Sequence, residues 1–214
     1  MKARVRLASA SPILFNRMPE ATLEGLRTKV KQQRVPDLTR EQEAEPKLYT
    51  DDDGNIGITA EMMCASLKGA GRDVPFGTGR SKVSTATSTK LFGFFGIEQV
   101  FLPFEAGFTA WVPDVRRGKN PNGGEAVCLC RPKINIWALE FDVWYDENLV
   151  RLDTIESLFT IAGRTQGLGD FRPNCGGPFG RFRVESIVDV DESDVSSVAD
   201  SVSSNGKQLA LATS

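Results

Sequence analysis

The chain has 214 residues, of which 40% are hydrophobic and 25% charged, and its formal net charge is −2. Such a composition is enough to fill one hydrophobic core, so we expect a single domain with room for an insertion or a tail. The sequence contains no histidine, which excludes Ser-His-Asp and Cys-His nucleophiles, HExxH metal sites and any imidazole base within this chain.

Hydropathy and cysteine content further narrow the class of protein to which the chain can belong. No run of about eighteen apolar residues is present, and the first residues alternate charge with bulk, so we expect neither a membrane span nor a secretion signal. The four cysteines are too few and too irregularly spaced for a disulfide framework. We therefore expect a cytoplasmic protein with no membrane partner.

The first part of the chain is predicted to contain one strand and one helix. Residues 3–9 alternate apolar and charged side chains, which is the period of a half-buried strand. Residues 16–47 are polar and contain three prolines, so they are predicted to be a solvated insertion with one short helix. Residues 51–55 have the chemistry of a turn. Thr59 is predicted to cap a helix whose apolar face carries Met62, Met63, Leu67 and Ala70.

The middle of the chain is predicted to be mostly irregular. Residues 75–96 are rich in glycine, serine and threonine and are interpreted as a loop or a weakly paired ribbon. A short strand is predicted at 98–104, and the polar stretch that follows completes an insertion at about 75–124. Residues 125–134 alternate apolar residues with cysteines, which predicts another strand.

The last part of the chain carries the clearest periodicity. Residues 136–146 are predicted to be a strand whose one face carries the apolar residues Trp137, Leu139, Phe141, Val143 and Tyr145. Asp153 is predicted to cap a second helix, and residues 179–190 form the last predicted strand. The apolar stripe of that second helix consists of Ile155, Leu158, Phe159 and Ala162.

The order of these elements predicts the fold class. The elements follow one another in the order β-α-β-β-α-β, which is the plan of a ferredoxin-like or RRM-like sandwich. This is an α+β fold in which two helices cover one face of a sheet. We expect a single domain at residues 1–188 with long insertions at about 16–47 and 75–124. Residues 189–214 are acidic and serine-rich, which predicts a disordered tail.

Positive charge is concentrated in three segments, 68–90, 116–133 and 163–183, which together hold fourteen basic and three acidic residues. Glycine lets main-chain N–H groups approach a phosphate, and lysine or arginine supplies the counter-charge. Phenylalanines interleaved with the bases can stack on unpaired nucleobases, although packing in the core is the alternative for each of them. The residues predicted to bind phosphate are Lys68, Arg72, Arg80, Lys82, Arg116, Arg117, Lys119, Arg164, Arg172 and Arg181. Stacking is predicted at Phe95 and Phe171, and backbone contacts at the loop glycines Gly167, Gly169 and Gly180.

Two segments resemble the RAMP superfamily, the repeat-associated proteins that include the backbone subunits of CRISPR effector complexes. Residues 161–184 are similar to that family's glycine-rich loop and final strand, matched at Gly167, Leu168, Gly169, Arg172, Gly180 and Arg181. Residues 56–73 are similar to its segment in which a strand end leads into a helix, matched at Ser66, Leu67, Lys68, Gly69, Ala70 and Arg72. The resemblance implies an RRM-like fold that binds RNA or single-stranded DNA along a basic groove, with a homo-oligomer or side-by-side filament as a further expectation.

We therefore expect a non-catalytic protein that binds single-stranded nucleic acid through a basic, glycine-rich groove, without a metal or cofactor and without a small-molecule substrate. The pattern GLGD-x-RP followed by GRF also resembles proteins carried by bacteriophages, so a phage or prophage origin is expected. For a phage protein, the expected location is the cytoplasm of the host. Two alternatives stay open. One is a RAMP-type, metal-dependent ribonuclease that uses carboxylates such as Asp51, Asp52 and Asp53. The other is a phage structural or anti-CRISPR protein whose basic clusters meet protein partners.

Overall fold

The computed structural model describes residues 1–30, 37–77, 80–119, 124 and 126–190. In these residues the elements are β1 (Lys2–Ser9), β2 (Ile13–Leu14), α1 (Glu20–Thr28), α2 (Arg40–Ala44), β3 (Gly57–Thr59), α3 (Ala60–Ala70), β4 (Phe95–Ile97), β5 (Phe101–Pro103), β6 (Trp111–Lys119), β7 (Ala126–Ile134), β8 (Ala138–Tyr145), α4 (Leu152–Ile161) and β9 (Phe182–Val190). A π-helical turn, Ala162–Gln166, continues α4.

A four-stranded antiparallel sheet in the order β4-β8-β1-β9 forms the centre of the fold. Along the chain, α3 lies between β1 and β4, and α4 lies between β8 and β9. The two helices pack against each other. This order of elements and strands is that of a ferredoxin-like or RRM-like sandwich, so the predicted fold class is confirmed.

The central strands bury every second residue, as the two-residue period of a strand requires. Ala3, Val5 and Leu7 of β1 are fully buried, and the alternate residues of β8 beside them are buried as well. The helices supply the opposite wall of this core with the buried side chains Met63, Leu67, Ile155, Leu158 and Phe159. Burial of each large apolar side chain stabilises the fold by about 1.5–3 kcal/mol.

The second strand of the central sheet lies earlier than the sequence predicted. It is β4, inside the segment interpreted as a loop, while the predicted strand at 98–104 is reduced to β5, which pairs with β3 in a separate two-stranded sheet. Gly96 permits this pairing, because a Cβ at this position would overlap the indole of Trp144 on β8. Pairing with β8 therefore determines the conformation of a short segment whose own propensity is weak.

Both predicted insertions contain more structure than expected. Residues 16–47 contain two helices, α1 and α2, instead of one. Thr39 caps α2 with a reciprocal pair of hydrogen bonds to Gln42, a capping box. Residues 75–124 contain β6, which pairs along its whole length with β7. We call the β6–β7 hairpin the ribbon.

Two predicted boundaries also change. The N-cap of α4 is Arg151, so Asp153 lies in the first helical turn and was wrongly assigned as the cap. The strand β9 continues to Val190, which lies opposite Lys2, so residues 189 and 190 belong to the sheet and not to the tail. The remainder of the predicted tail, 191–214, lies outside the described residues. None of the helices in the described ranges is long and apolar enough to cross a membrane.

Candidate nucleic-acid interface

The segment between α4 and β9 is a tightly folded loop, which we call the glycine-rich loop (residues 162–181). Its predicted glycines Gly167, Gly169 and Gly180 all have positive φ. At Gly180 a Cβ would also overlap the carbonyl oxygen of Leu168. These glycines are therefore needed for backbone packing inside the loop, and phosphate contact at their N–H groups stays a prediction.

Phe171 presents an aromatic ring at the surface of this loop. Its φ of +47° lies in the left-handed region, which is costly for a bulky residue, and its side chain is 38% exposed. The backbone N–H of Phe171 donates to Oδ1 of Asp170 at 2.9 Å, and its ring lies 6.2 Å from the ring of Phe179. The loop thus holds an exposed ring in a strained conformation, an arrangement typical of functional sites.

The ribbon reaches the glycine-rich loop at Arg116. Its guanidinium carbon lies 4.6 Å from the ring centroid of Phe179, which is the geometry of a cation–π contact. Arg116 also binds the carboxylate of Asp114 through Nε and Nη2, and this hydrogen bonding lowers the pKa of Asp114 below its ordinary value. The structure therefore brings together the second and third predicted basic segments.

An ion pair between a buried arginine and a partly exposed aspartate joins the ribbon and the loop at a second point. Nη1 of Arg131 donates to Oδ2 of Asp170 at 2.6 Å, and Arg131 is 5% exposed. Its Nε has no hydrogen-bond partner among the described residues. Sequence reasoning placed Arg131 in a basic segment and missed this structural role, because the partner lies 39 positions away.

The first basic segment meets the loop through α3. Lys68 is exposed on this helix and Arg72 in the turn that follows it, and Gly69 between them packs against the side chain of Gln166, with Cδ at 2.6 Å from an ideal Cβ. The π-helical turn, which carries the exposed Arg164, therefore lies beside α3. Arg80 and Lys82 are farther along the chain, beyond the end of α3, where Nζ of Lys82 donates to the carbonyl of Asp73 at 3.1 Å.

The cations divide into two groups by their partners. On the open face of the central sheet, ion pairs join Arg4 to Asp142 at 2.8 Å and Arg6 to Glu105 at 2.7 Å; Arg6 and Arg183 both pair with Glu185. In contrast, eight predicted residues make no ion pair with any carboxylate of the described ranges. They are Lys68, Arg72, Arg80, Lys82, Arg117, Arg164, Arg172 and Arg181.

Two predicted site residues need separate comment. Phe95 is 1% exposed and packs against Phe159 with ring centroids 6.0 Å apart, so the prediction that it stacks on a base is wrong. The error follows from the misassigned loop, because the residue belongs to β4. Lys119 ends β6, and its side chain lies outside the described residues.

The acidic turn at residues 51–55 satisfies its own backbone. Oδ1 of Asp51 accepts hydrogen bonds from the N–H groups of Asp53 and Asn55, and Asn55 also donates its side-chain amide to Oδ2. These hydrogen bonds lower the pKa of Asp51. Across the part of the chain that the structure describes, no three His, Cys, Asp or Glu residues are grouped so that they could hold a metal ion.

The sheet order and the two covering helices define the protein as an α+β sandwich of the ferredoxin-like or RRM-like class. No family model and no curated protein matches the chain. Among solved structures, the chain is similar to one from the cryo-EM structure of the type III-B Cmr-beta bound to cognate target RNA, at 12% identity and a TM-score of 0.48. The match covers 87% of this chain and 59% of that one, so this chain spans less than two thirds of its neighbour's length. The resemblance to the RAMP superfamily and to phage proteins stays a prediction.

Proposed function

We propose that the protein binds single-stranded nucleic acid, RNA or DNA, and performs no chemistry on it. The binding site is the basic surface, defined by exposed and half-buried side chains of α3 and the turn after it, the π-helical turn, the glycine-rich loop and the ribbon. Its members are Lys68, Arg72, Arg116, Arg164, Phe171, Arg172 and Arg181. The predicted residue Arg117 follows Arg116 on β6 and points to the opposite face of the ribbon, so it is not a member. The single observation that carries the proposal is the division of the cations into paired and unpaired groups.

This division matters because a cation must be available to neutralise a phosphate. An arginine that already pairs with a carboxylate adds little net potential, and the neighbouring carboxylate repels a polyanion. The open sheet face carries Arg4 beside Asp142 and Arg6 beside Glu105 and Glu185, so it is unsuited to nucleic acid. The basic surface lacks that compensation at most of its members and can attract a phosphate backbone.

The aromatic pair in the loop favours a single strand over a duplex. Bases stack on an aromatic ring only where they are unpaired, and each such contact contributes about 1–3 kcal/mol. Phe171 offers its exposed ring beside Phe179, whose other neighbour is the guanidinium of Arg116. A base stacked on Phe171 would therefore have a cation close to its own phosphate.

A titration with labelled single-stranded RNA and DNA at two salt concentrations tests the proposal. We expect binding that weakens steeply with salt, by roughly 0.7 in the log–log slope for each phosphate contacted. The triple variant Lys68→Gln, Arg72→Gln, Arg164→Gln should lose affinity and about two units of that slope. The matched control carries the same charge change outside the basic surface, at Arg27, Lys29 and Arg151. No binding at low salt, or equal losses in both variants, would contradict the proposal.

One observation favours protein binding as a second candidate function. The helix α1 buries none of its side chains and exposes Leu23 and Leu26 on the same side, three positions apart. A protein partner could cover these leucines. Copurification of a defined protein free of nucleic acid, lost in Leu23→Ser, Leu26→Ser, would support this candidate. The ribonuclease alternative is tested by incubating RNA with the protein with and without Mg²⁺, and we expect the RNA to stay intact.

A further inference from the structure

A cleft between α3 and the glycine-rich loop adjoins the basic surface. It consists of two cavities of about 310 and 220 Å³, both lined by Tyr49, Met62 and Arg172. The larger one is of the size that encloses small organic ligands. The cleft therefore has room for one base of a strand that lies on the basic surface.

The lining of the larger cavity suits a flat polar ring. Tyr49 and Met62 supply apolar and aromatic surface, and the side chains of Thr59, Gln166 and Asn174 can all donate and accept hydrogen bonds. Unpaired bases are bound in this way, between apolar surfaces and with their polar edges hydrogen-bonded. A site for a phosphate would instead need several cations, and Arg172 is the one basic residue among those that line either cavity.

Two charged side chains reach the larger cavity from the elements that border it. Glu61 comes from the first turn of α3, and Arg172 comes from the glycine-rich loop. They form no ion pair with each other, and Nη1 of Arg172 is held by the carbonyl oxygen of Gly169 at 2.8 Å. The remaining donors of Arg172 and the carboxylate of Glu61 are thus available to a ligand.

These two groups match one base better than the others. Guanine presents the acceptors O6 and N7, for which arginine is the most common partner, and its N2 amino group is a donor that a carboxylate accepts. Adenine places an amino donor where guanine has O6, so it would oppose the guanidinium. Uracil has no amino group for Glu61, and cytosine, which has one, lacks the N7 acceptor that guanine offers to Arg172.

An unsatisfied hydroxyl group lines the same cavity. Ser66 is 5% exposed, and its Oγ has no hydrogen-bond partner among the described residues. A buried polar atom without a partner is costly, and in a native protein it often marks a ligand or water position. This observation is independent of the charged pair and points into the same cleft.

We infer that the cleft binds one unstacked guanine base, with Arg172 at its O6 and N7 edge and Glu61 at its N2 amino group. This inference rests on the proposed function, because the base belongs to the strand held by the basic surface. The neighbouring base in the strand is the one that stacks on Phe171. The protein would then prefer strands that contain guanine, while the phosphate contacts remain independent of sequence.

Labelled oligouridines that differ at one internal position test the inference. With guanosine at that position we expect binding about tenfold tighter than with uridine, the range of a good bidentate contact. Inosine lacks the N2 amino group and 7-deazaguanosine lacks the N7 acceptor, so each should lose part of the preference. In Glu61→Ala, guanosine and inosine should bind equally, while Glu156→Ala, an exposed change on α4, should behave as wild type. Circular dichroism confirms that both variants are folded.

The outcomes separate the two proposals. If no oligonucleotide binds at low salt, the proposed function is wrong, and the inference of a guanine site is then wrong as well. If all oligonucleotides bind with equal affinity, the guanine site alone is overturned. If guanosine is preferred but Glu61→Ala retains the difference from inosine, the assignment of Glu61 is overturned.

Discussion

Arg131 of β7 donates through Nη1 to Oδ2 of Asp170 at 2.6 Å, and this ion pair fastens the ribbon to the glycine-rich loop. The same carboxylate accepts the N–H of Phe171 through Oδ1 at 2.9 Å. One aspartate thus positions a buried cation and the strained backbone of an exposed aromatic residue. The two parts of the basic surface are therefore mechanically linked.

Removal of Asp170 should be strongly destabilising. In Asp170→Ala the guanidinium of Arg131 stays buried without a carboxylate, so we expect the free energy of unfolding to fall by about 3 kcal/mol. Urea denaturation measures the change. The control Asp153→Ala removes an exposed carboxylate paired with Arg151 at 3.5 Å, and it should cost less than about 1 kcal/mol. Equal effects of the two substitutions would show that the ion pair of Arg131 has no special role.

Phe171 can be tested for stability and for binding with two substitutions. Phe171→Ala and Phe171→Gly both remove the ring and should weaken strand binding alike, by about 1–3 kcal/mol. Glycine adopts the observed φ of +47° without strain and alanine does not, so the glycine variant should be the more stable of the two by about 1 kcal/mol. Denaturation and oligonucleotide titration supply the two readouts. Unchanged affinity in both variants would exclude stacking at this residue.

Two loop glycines with nearly the same φ differ in their surroundings. A Cβ at Gly180 would overlap the carbonyl oxygen of Leu168, while a Cβ at Gly176 would meet open space. Gly180→Ala should therefore be much more destabilising than Gly176→Ala, which pays only for the positive φ, about 1 kcal/mol. Thermal unfolding of both variants checks the order. If Gly176→Ala were the less stable protein, the packing described for the loop would be incorrect.

The raised pKa of Tyr145 predicts that the protein loses stability at high pH. Burial and the hydrogen bond from its hydroxyl to Asp189 Oδ1, 2.8 Å long, raise the pKa of Tyr145 to about 12. In the unfolded chain the tyrosine ionises near pH 10. The stability that the protonated Tyr145 hydroxyl contributes is therefore fully present below about pH 10, and it is lost as the pH rises towards the pKa of the folded state. Urea denaturation across this range should show a steeper decline for the wild type than for Tyr145→Phe, and parallel curves would contradict the prediction.

The sequence predicted the elements whose periodicity extends over several residues. The strand that contains Val5 and Leu7, the strand that ends at Tyr145 and the helix capped by Thr59 have buried faces that follow directly from residue spacing. β4 could not be predicted in this way, because a three-residue strand that contains Gly96 has no period to detect. It forms because β8 offers it a partner.

The sequence predicts which residue types the candidate site contains, but not how these residues are arranged. The clustering of basic residues is visible in the sequence, but which of them are neutralised depends on strand register. Arg4 meets Asp142 only because β1 and β8 align in this register, 138 positions apart along the chain. The left-handed conformation of Phe171 likewise follows from the surrounding loop and has no signature in the residue itself.

The open face of the central sheet, whose arginines pair with carboxylates, offers a position for chemical attachment. Ser186 is exposed on β9 directly opposite Arg6, on the side where arginines and carboxylates already satisfy one another. A cysteine introduced there would allow the protein to be tethered to a sensor chip or to carry a fluorophore at a position outside the basic surface. Attachment would leave the proposed site untouched, because none of its members belongs to these ion pairs.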